Sequence, residues 1–202
     1  MKELDEQYKN YTGIDEAGRG CVGGSLFFVG AKLKPNSSTQ DISFAVDSKS
    51  VNKKKHKEMF NRLIDLVEYK VVKKEPHEID SKGLAICLKE SLQELRDFFS
   101  GNILYDGSTT FKVENIETLV KADLKVSIVA AASIIAKYNK TLEDEELDLL
   151  YPGFTFTSHS GYINKNHIKE IIDMGFTNHH RKSYNIKALK DLNIKGYNKE
   201  NF

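Results

Sequence analysis

Residues 12–33, TGIDEAGRGCVGGSLFFVGAKL, hold two apolar runs separated by a glycine-rich bend, with Ser25 to Leu33 as the second run. Two strands this close in sequence can pair directly, and neither is long enough to bury its faces alone. The rest of the chain must therefore supply further strands and covering helices. It does so by alternation. The spacing of Met59, Phe60, Leu63, Ile64 and Val67 predicts a helix, and VEYKVVKKE after it reads as a strand. A second helix is expected across Ile79, Leu84, Ile86, Leu88, Leu92 and Leu95, followed by a short buried strand in NILYDGS. ADLKVSIVAAASIIAKY reads as a strand, Lys125 to Val129, running into a helix of small residues. Tyr151 to Gly161 reads as a loop, Asn164 to Met174 as a short amphipathic helix, and the segment after His179 as basic with a last helix. Paired strands followed by alternating strands and helices argue a mixed α/β sheet. The expected division is a sheet-bearing core over residues 1–150, with residues 151–202 a basic loop and helical extension packed on it.

A chain of 202 residues can bury a full core. With 40% hydrophobic and 29% charged residues it has a soluble, globular composition. The polar start MKELDEQYKN is no signal peptide, and no apolar run nears the roughly 20 residues that cross a bilayer. Cys21 and Cys87 match no metal-ligand spacing and read as buried thiols of a reducing cytoplasm. The net charge of +1 hides an uneven distribution. Between His159 and Lys199, Lys165, Lys169, Arg181, Lys182, Lys187, Lys190, Lys195 and Lys199 are opposed only by Glu170, Asp173 and Asp191, so the C-terminal quarter is basic. A polyanionic partner fits that patch.

Acidic residues recur at strand ends. Asp15 lies where the first strand meets glycines, Asp106 closes the run ILY, and Asp123 precedes LKVSIV. Functional side chains gather at strand ends in α/β sheets. Carboxylates brought together raise one another's pKa unless a cation neutralises them, and a hard divalent ion does so through oxygen ligands. Two such ions can activate water against a phosphodiester. Taken singly, Asp106-Gly107 is equally a turn and Asp123 equally a loop residue. The Asp15-Glu16 pair adds a geometric demand. Neighbours on a regular strand face opposite sides, so both reach one site only if the backbone bends or bulges there. Gly18-Arg19-Gly20 is either an exposed loop or backbone that approaches a sugar or phosphate closely.

At this point five ordered blocks become recognisable. GIDEAGRG, DSKSVNKKKHKEMF, YDG, KADLKVSIVAAASIIAKY and SGYINKNHIKEIIDMGFTNHHRKSY together resemble the ribonuclease HII family, from about Gly13 to Tyr184. The resemblance implies a ribonuclease H-like α/β fold, a mixed five-stranded sheet with flanking helices. It implies a cytoplasmic, monomeric endonuclease that hydrolyses RNA in RNA–DNA hybrids and cuts at single ribonucleotides embedded in duplex DNA. It implies 3′-hydroxyl and 5′-phosphate products. Mg²⁺ or Mn²⁺ would be the cofactor, as two ions, on Asp15, Glu16, Asp106 and Asp123. Gly18, Arg19 and Gly20 resemble the family's reader of the ribose 2′-hydroxyl, the group that separates RNA from DNA. Tyr162 matches the tyrosine that packs on the neighbouring deoxyribose. Lys49, Ser133 and Lys137 match positions near backbone phosphates. For each of these residues the plain alternative is a packing or surface role. His167, His180, Arg181 and Ser183 sit in matching end motifs, as either substrate contacts or scaffold.

The sequence also departs from the family pattern. Asn139-Lys140 replaces Arg-Asp, Ser108 replaces an asparagine, and Tyr184 replaces a phenylalanine. Other ribonuclease H-like phosphoryl-transfer enzymes lack the Gly-Arg-Gly block. A non-catalytic hybrid-binding module would have no need of four carboxylates.

Overall fold

The computed structural model describes residues 2–50 and 53–189; the Lys49 side chain falls outside the described residues. A short helix α1 (Lys2–Gln7) leads into strands β1 (Thr12–Ala17) and β2 (Leu26–Leu33). After a 3₁₀ stretch at Ser43–Ser50 come α2 (Lys53–Leu63), β3 (Val67–Lys74), α3 (Pro76–Lys82) and α4 (Leu84–Phe98). Strands β4 (Ile103–Asp106) and β5 (Glu117–Leu119) follow, then a 3₁₀ turn at Ala122–Leu124. The long helix α5 (Ser127–Leu150), α6 (Phe156–His159), α7 (Lys165–Met174) and a 3₁₀ turn at Lys187–Leu189 complete the described chain. The sheet has five strands in the order β3-β2-β1-β4-β5. β1 runs antiparallel to β2 and parallel to β4, and β4 runs parallel to β5, so the sheet is mixed as the sequence pattern requires. Among the described residues no helix is long and apolar enough to cross a membrane.

The chain forms two compact units. The first comprises Met1–Ala17, Phe27–Lys73 and Leu88–Asn139, and so holds nearly all of the sheet. Strand alternation gives that sheet two unlike faces. On one face, Ala17, Val29, Ala31 and Leu104 meet the small residues Ala130, Ala131, Ala132 and Ala136 of α5 in a common core. The approach is close enough that a Cβ on Gly13 would lie 2.6 Å from the backbone of Ile128 and Val129. Any larger residue at 13 would push α5 off the strand. The other face carries Ile14, Gly30, Phe28 and Tyr105; the Phe28 and Tyr105 rings lie 5.9 Å apart, and Phe99 fills the space over Gly30. The second unit comprises Gly18–Leu26, Lys74–Cys87 and the chain from Lys140 onward. Its core is Val22, Leu147, Phe154, Phe156, Ile171, Ile186 and Leu189. Helix α7 begins at a capped turn, where the Asn164 side chain accepts the His167 N–H at 2.9 Å.

The elements differ from the sequence reading in several places, among them the segment Tyr151 to Gly161, read as a loop, which contains the short helix α6. Helix α2 ends at Leu63, and Val67 opens β3 instead of closing the helix. The helix expected across Ile79 to Leu95 is two helices, parted at Gly83 with φ 84°, which leaves Ile86 exposed. Lys125 to Val129 is not a strand. Asp5 accepts from the Ser127 N–H at 2.7 Å and its hydroxyl at 2.8 Å, capping a helix start inside that β-branched run. The fifth strand is instead Glu117–Leu119, and the last expected helix is, within the described residues, a single 3₁₀ turn.

Candidate metal centre and the loop that follows its first strand

The Gly13↔Leu104 and Ile14↔Tyr105 pairing of β1 with β4 puts Asp15 and Asp106 next in register on the same face of the sheet. This is the face covered by α5. Asp106 Oδ1 accepts the Ala122 N–H at 3.1 Å, which ties the following 3₁₀ turn to the end of β4. That turn starts at Lys121 in the left-handed region, φ 57°, a conformation that costs a non-glycine residue about 1–2 kcal/mol. The turn delivers Asp123. Oxygen atoms of Asp15, Asp106 and Asp123 then lie within 4.8 Å of one another.

This convergence is electrostatically expensive. Asp15 is buried, and its pKa rises to about 8, first through burial, then through the Glu16 and Asp106 charges. The Ser133 hydroxyl and the Glu16 N–H act in the opposite direction. The Asp106 pKa is also raised, again mainly by burial and then by Asp123, against the Ala122 N–H. No lysine or arginine forms an ion pair with Asp15 or Asp106 among the described residues. The donor set is all oxygen, which suits a hard divalent cation. One further observation fits such an ion. Ser133 Oγ, on the α5 face that meets Asp15, is buried; it lies near enough to lower the Asp15 pKa, yet meets no protein group at full hydrogen-bond geometry. A buried hydroxyl without a partner is costly unless a ligand or a metal-held water meets it.

Glu16 is placed differently. The β1–β2 ladder runs without a bulge through Asp15↔Val29 and Glu16↔Phe28, so the bend expected at Asp15-Glu16 is absent. Glu16 consequently faces the Tyr105 side of the sheet and accepts the Tyr105 hydroxyl at 2.9 Å. It stands outside the three-carboxylate cluster, yet its charge is the largest single one acting on Asp15. Tyr105 was invisible as a partner to the sequence reading, although its position beside Asp106 fixes it to the opposite face. Lys137 lies one helical turn beyond Ser133 on α5 and is half-buried.

In the second unit, the segment after β1 folds into a tight turn. The Cys21 N–H reaches the Gly18 carbonyl at 3.2 Å, closing over Arg19 and Gly20. Gly18 has φ 89°, and a Cβ there would lie 2.6 Å from the Ser25 carbonyl oxygen. A Cβ on Gly20 would lie 3.3 Å from the Tyr162 ring. Tyr162 is itself 52% exposed, a large aromatic face open to solvent. The Gly161 carbonyl accepts the N–H groups of both Val22 and Gly23, so the glycine loop and the Tyr162 segment form one piece.

Three buried histidines hold that piece from below. The Tyr162 carbonyl can only accept, so His167 donates to it from Nδ1, at 2.9 Å. His167 Nε2 is then an acceptor in the neutral ring, and His180 Nε2–H donates to it at 3.0 Å. His180 Nδ1 in turn accepts the Thr177 N–H at 3.0 Å. His159 donates to Glu170 from Nε2 at 3.0 Å and accepts the Gly161 N–H at Nδ1. Every ring nitrogen is satisfied only when all three rings are neutral. Burial accordingly lowers their pKa values, to about 4 for His167 and about 3 for His180. Arg181 is buried against the loop carbonyls. Ser183 donates to Asp80 from its backbone and its hydroxyl, at 3.0 and 2.6 Å. Lys140, where the sequence departs from the family pattern, is buried and ion-paired with Asp144, with Glu143 at 3.8 Å. Glu143 accepts the Ser25 N–H at 2.7 Å and its hydroxyl.

The family model for ribonuclease HII matches residues 12–187. A ribonuclease HII of Sulfurovum sp. (strain NBC37-1) is 35% identical, over 93% of this chain and 98% of the relative. Another, from Aliarcobacter butzleri (strain RM4018), is 37% identical over 92% and 96%. Among solved structures, the ribonuclease H2 of Pyrococcus horikoshii OT3 superposes with a TM-score of 0.69 at 28% identity, covering 86% of this chain and 93% of that one.

Proposed function

This chain belongs to the ribonuclease HII family and is an endoribonuclease of RNA–DNA hybrids, and we propose that it also cuts at single ribonucleotides embedded in duplex DNA. The observation that carries the reading is the convergence of Asp15, Asp106 and Asp123 within 4.8 Å. These three hold the cation, with Glu16 adding negative charge behind Asp15 and Ser133 offering its free hydroxyl. When bound, Mg²⁺ or Mn²⁺, as two ions, supplies Lewis-acid stabilisation of the charge that builds on the phosphodiester oxygens. The protein's own share is placement. Asp15 and Asp106 are fixed by β1–β4 register, and Asp123 by the strained turn at Lys121.

Gly18-Arg19-Gly20 reads the sugar. Gly20 is exposed, and its N–H has no acceptor among the described residues, so it can donate to a ribose 2′-hydroxyl. Tyr162 packs its open face on the adjoining deoxyribose. Lys49 and Lys137 attract backbone phosphates. Hydrolysis adds water at phosphorus and breaks the bond to the 3′ oxygen, which leaves as a 3′-hydroxyl opposite a 5′-phosphate.

The test is cleavage of a DNA duplex with one ribonucleotide beside a uniform RNA–DNA hybrid, with both ends mapped in Mg²⁺ and in Mn²⁺. The expected result is a metal-dependent cut at the ribonucleotide that leaves a 3′-hydroxyl. Cleavage without added metal, or a 2′,3′-cyclic phosphate product, overturns the reading, because the latter requires attack by the 2′-hydroxyl itself.

A further inference from the structure

Arg181 is completely buried, and no carboxylate pairs with it among the described residues. A buried cation without an anion must be compensated by hydrogen bonds, and all of these lead to one loop or to a hydroxyl beside it. Nε and Nη2 donate to the Gly24 carbonyl at 3.1 and 3.0 Å. Nη1 donates to the Arg19 carbonyl at 3.1 Å and to the Tyr184 hydroxyl at 3.0 Å. That hydroxyl donates to the same Arg19 carbonyl at 3.1 Å. The fork therefore grips both ends of the segment between Arg19 and Gly24.

Peptide geometry turns this grip into a directional device. No described peptide bond is cis, and in a trans peptide the C=O and the following N–H point in opposite directions. Pinning the Gly24 carbonyl sends the Ser25 N–H the other way, where it meets Glu143 at 2.7 Å. Pinning the Arg19 carbonyl likewise sends the Gly20 N–H away from the guanidinium, into the exposed position where no protein acceptor meets it.

We propose that Arg181 is a positioning residue for ribonucleotide recognition, fixing the Arg19–Gly20 peptide so that the Gly20 N–H is presented outward. The proposal rests on Gly18-Arg19-Gly20 being the 2′-hydroxyl reader. A lysine at 181 keeps the charge but loses the fork, because an ammonium is a point donor that cannot span both carbonyls. The Tyr184 hydroxyl, present here where the family resemblance has phenylalanine, is a second hold on the same carbonyl.

The experiment uses the full chain in EDTA, where no cleavage occurs. Anisotropy measures affinity for a duplex with one ribonucleotide and for the all-deoxy duplex of the same sequence. The ratio of the two is the readout, since a role in packing alone would weaken both equally. Arg181→Lys should cut the wild-type ratio about tenfold while leaving all-deoxy affinity within about twofold, the scale of a small misplacement at a reading group. Tyr184→Phe, which removes one oxygen from a part-buried ring and keeps the fold, should cut it about twofold to threefold. An unchanged ratio in a folded Arg181→Lys, or equal loss on both duplexes, overturns the inference. If Arg181→Lys does not fold, an unchanged ratio in Tyr184→Phe overturns it instead. A wild type that binds both duplexes equally defeats the underlying reading of the loop, whereas a wild-type preference untouched by either variant defeats only the inference.

Discussion

The two units treat charge in opposite ways. In the first, Asp15, Asp106 and Asp123 crowd within 4.8 Å of one another, and burial holds the Asp15 carboxyl up at about 8. In the second, a buried arginine, a buried lysine and three buried histidines all find partners, down to each imidazole nitrogen. A crowded set of like charges spends folding stability to keep a place for a ligand. A fully satisfied network spends nothing further and gains rigidity. The lesson is that chemistry and recognition are built here from different materials, and each can be broken without the other.

The largest expected effect falls on the carboxylate cluster. Asp15→Asn should lower cleavage of a uniform hybrid by about a thousandfold or more, since an amide is a poor replacement for an anionic ligand. It should also leave the metal-free melting temperature unchanged or higher, because it removes a charge the fold disfavours. Differential scanning calorimetry in EDTA beside turnover in Mg²⁺ checks both. A folded variant with near-normal turnover would break the comparison at once.

A smaller effect is expected at Tyr162. Tyr162→Ala should lower cleavage at a single embedded ribonucleotide about tenfold more than cleavage of a continuous hybrid, which lacks the adjoining deoxyribose at most sites. The two rates must be taken in one metal and at one salt concentration. Equal loss on both substrates would make Tyr162 a general binding or packing residue.

The satisfied network should fail in acid. His167 and His180 have folded pKa values below the ordinary value near 6.5, so the unfolded chain binds more protons in between. Their stabilising contribution is full above about pH 6.5 and is lost as pH falls toward the folded values. At pH 5 the loss is about 2 kcal/mol for each ring taken alone. Glu170 faces His159, while Lys182, His179 and Lys140 add positive charge to the cluster's surroundings. Melting temperatures between pH 8 and pH 5 should therefore fall in the wild type and fall less in His180→Phe. A flat wild-type profile would contradict neutral rings in the native state.

Much of this was legible in the sequence. Asp15 and Asp106 stood out because each ends an apolar run, and strand ends are where a sheet exposes side chains. Asp123 stood out because it precedes LKVSIV, read as a third strand, although that segment opens a helix. Val126, Ile128 and Val129 look like a strand, and only the distant Asp5 caps that run into a helix. β5 was missed because Glu117–Leu119 is three residues long with little apolar character. Glu16 seemed to need a bulge to join Asp15, whereas the regular ladder turns it toward Tyr105. The parts of His167, His180 and Arg181 were illegible for a common reason. Their partners are loop carbonyls and one another, and such contacts leave no spacing signal in a single chain.

The central claim, that cutting and sugar recognition rest on separate residues, is tested most directly in Asp106→Asn. Its cleavage rate in Mg²⁺ and its affinity ratio for ribonucleotide-containing over all-deoxy duplex in EDTA should be measured on one preparation. The account predicts cleavage lowered by about a thousandfold or more with the wild-type ratio intact. A ratio that collapses together with cleavage in the folded variant would contradict it.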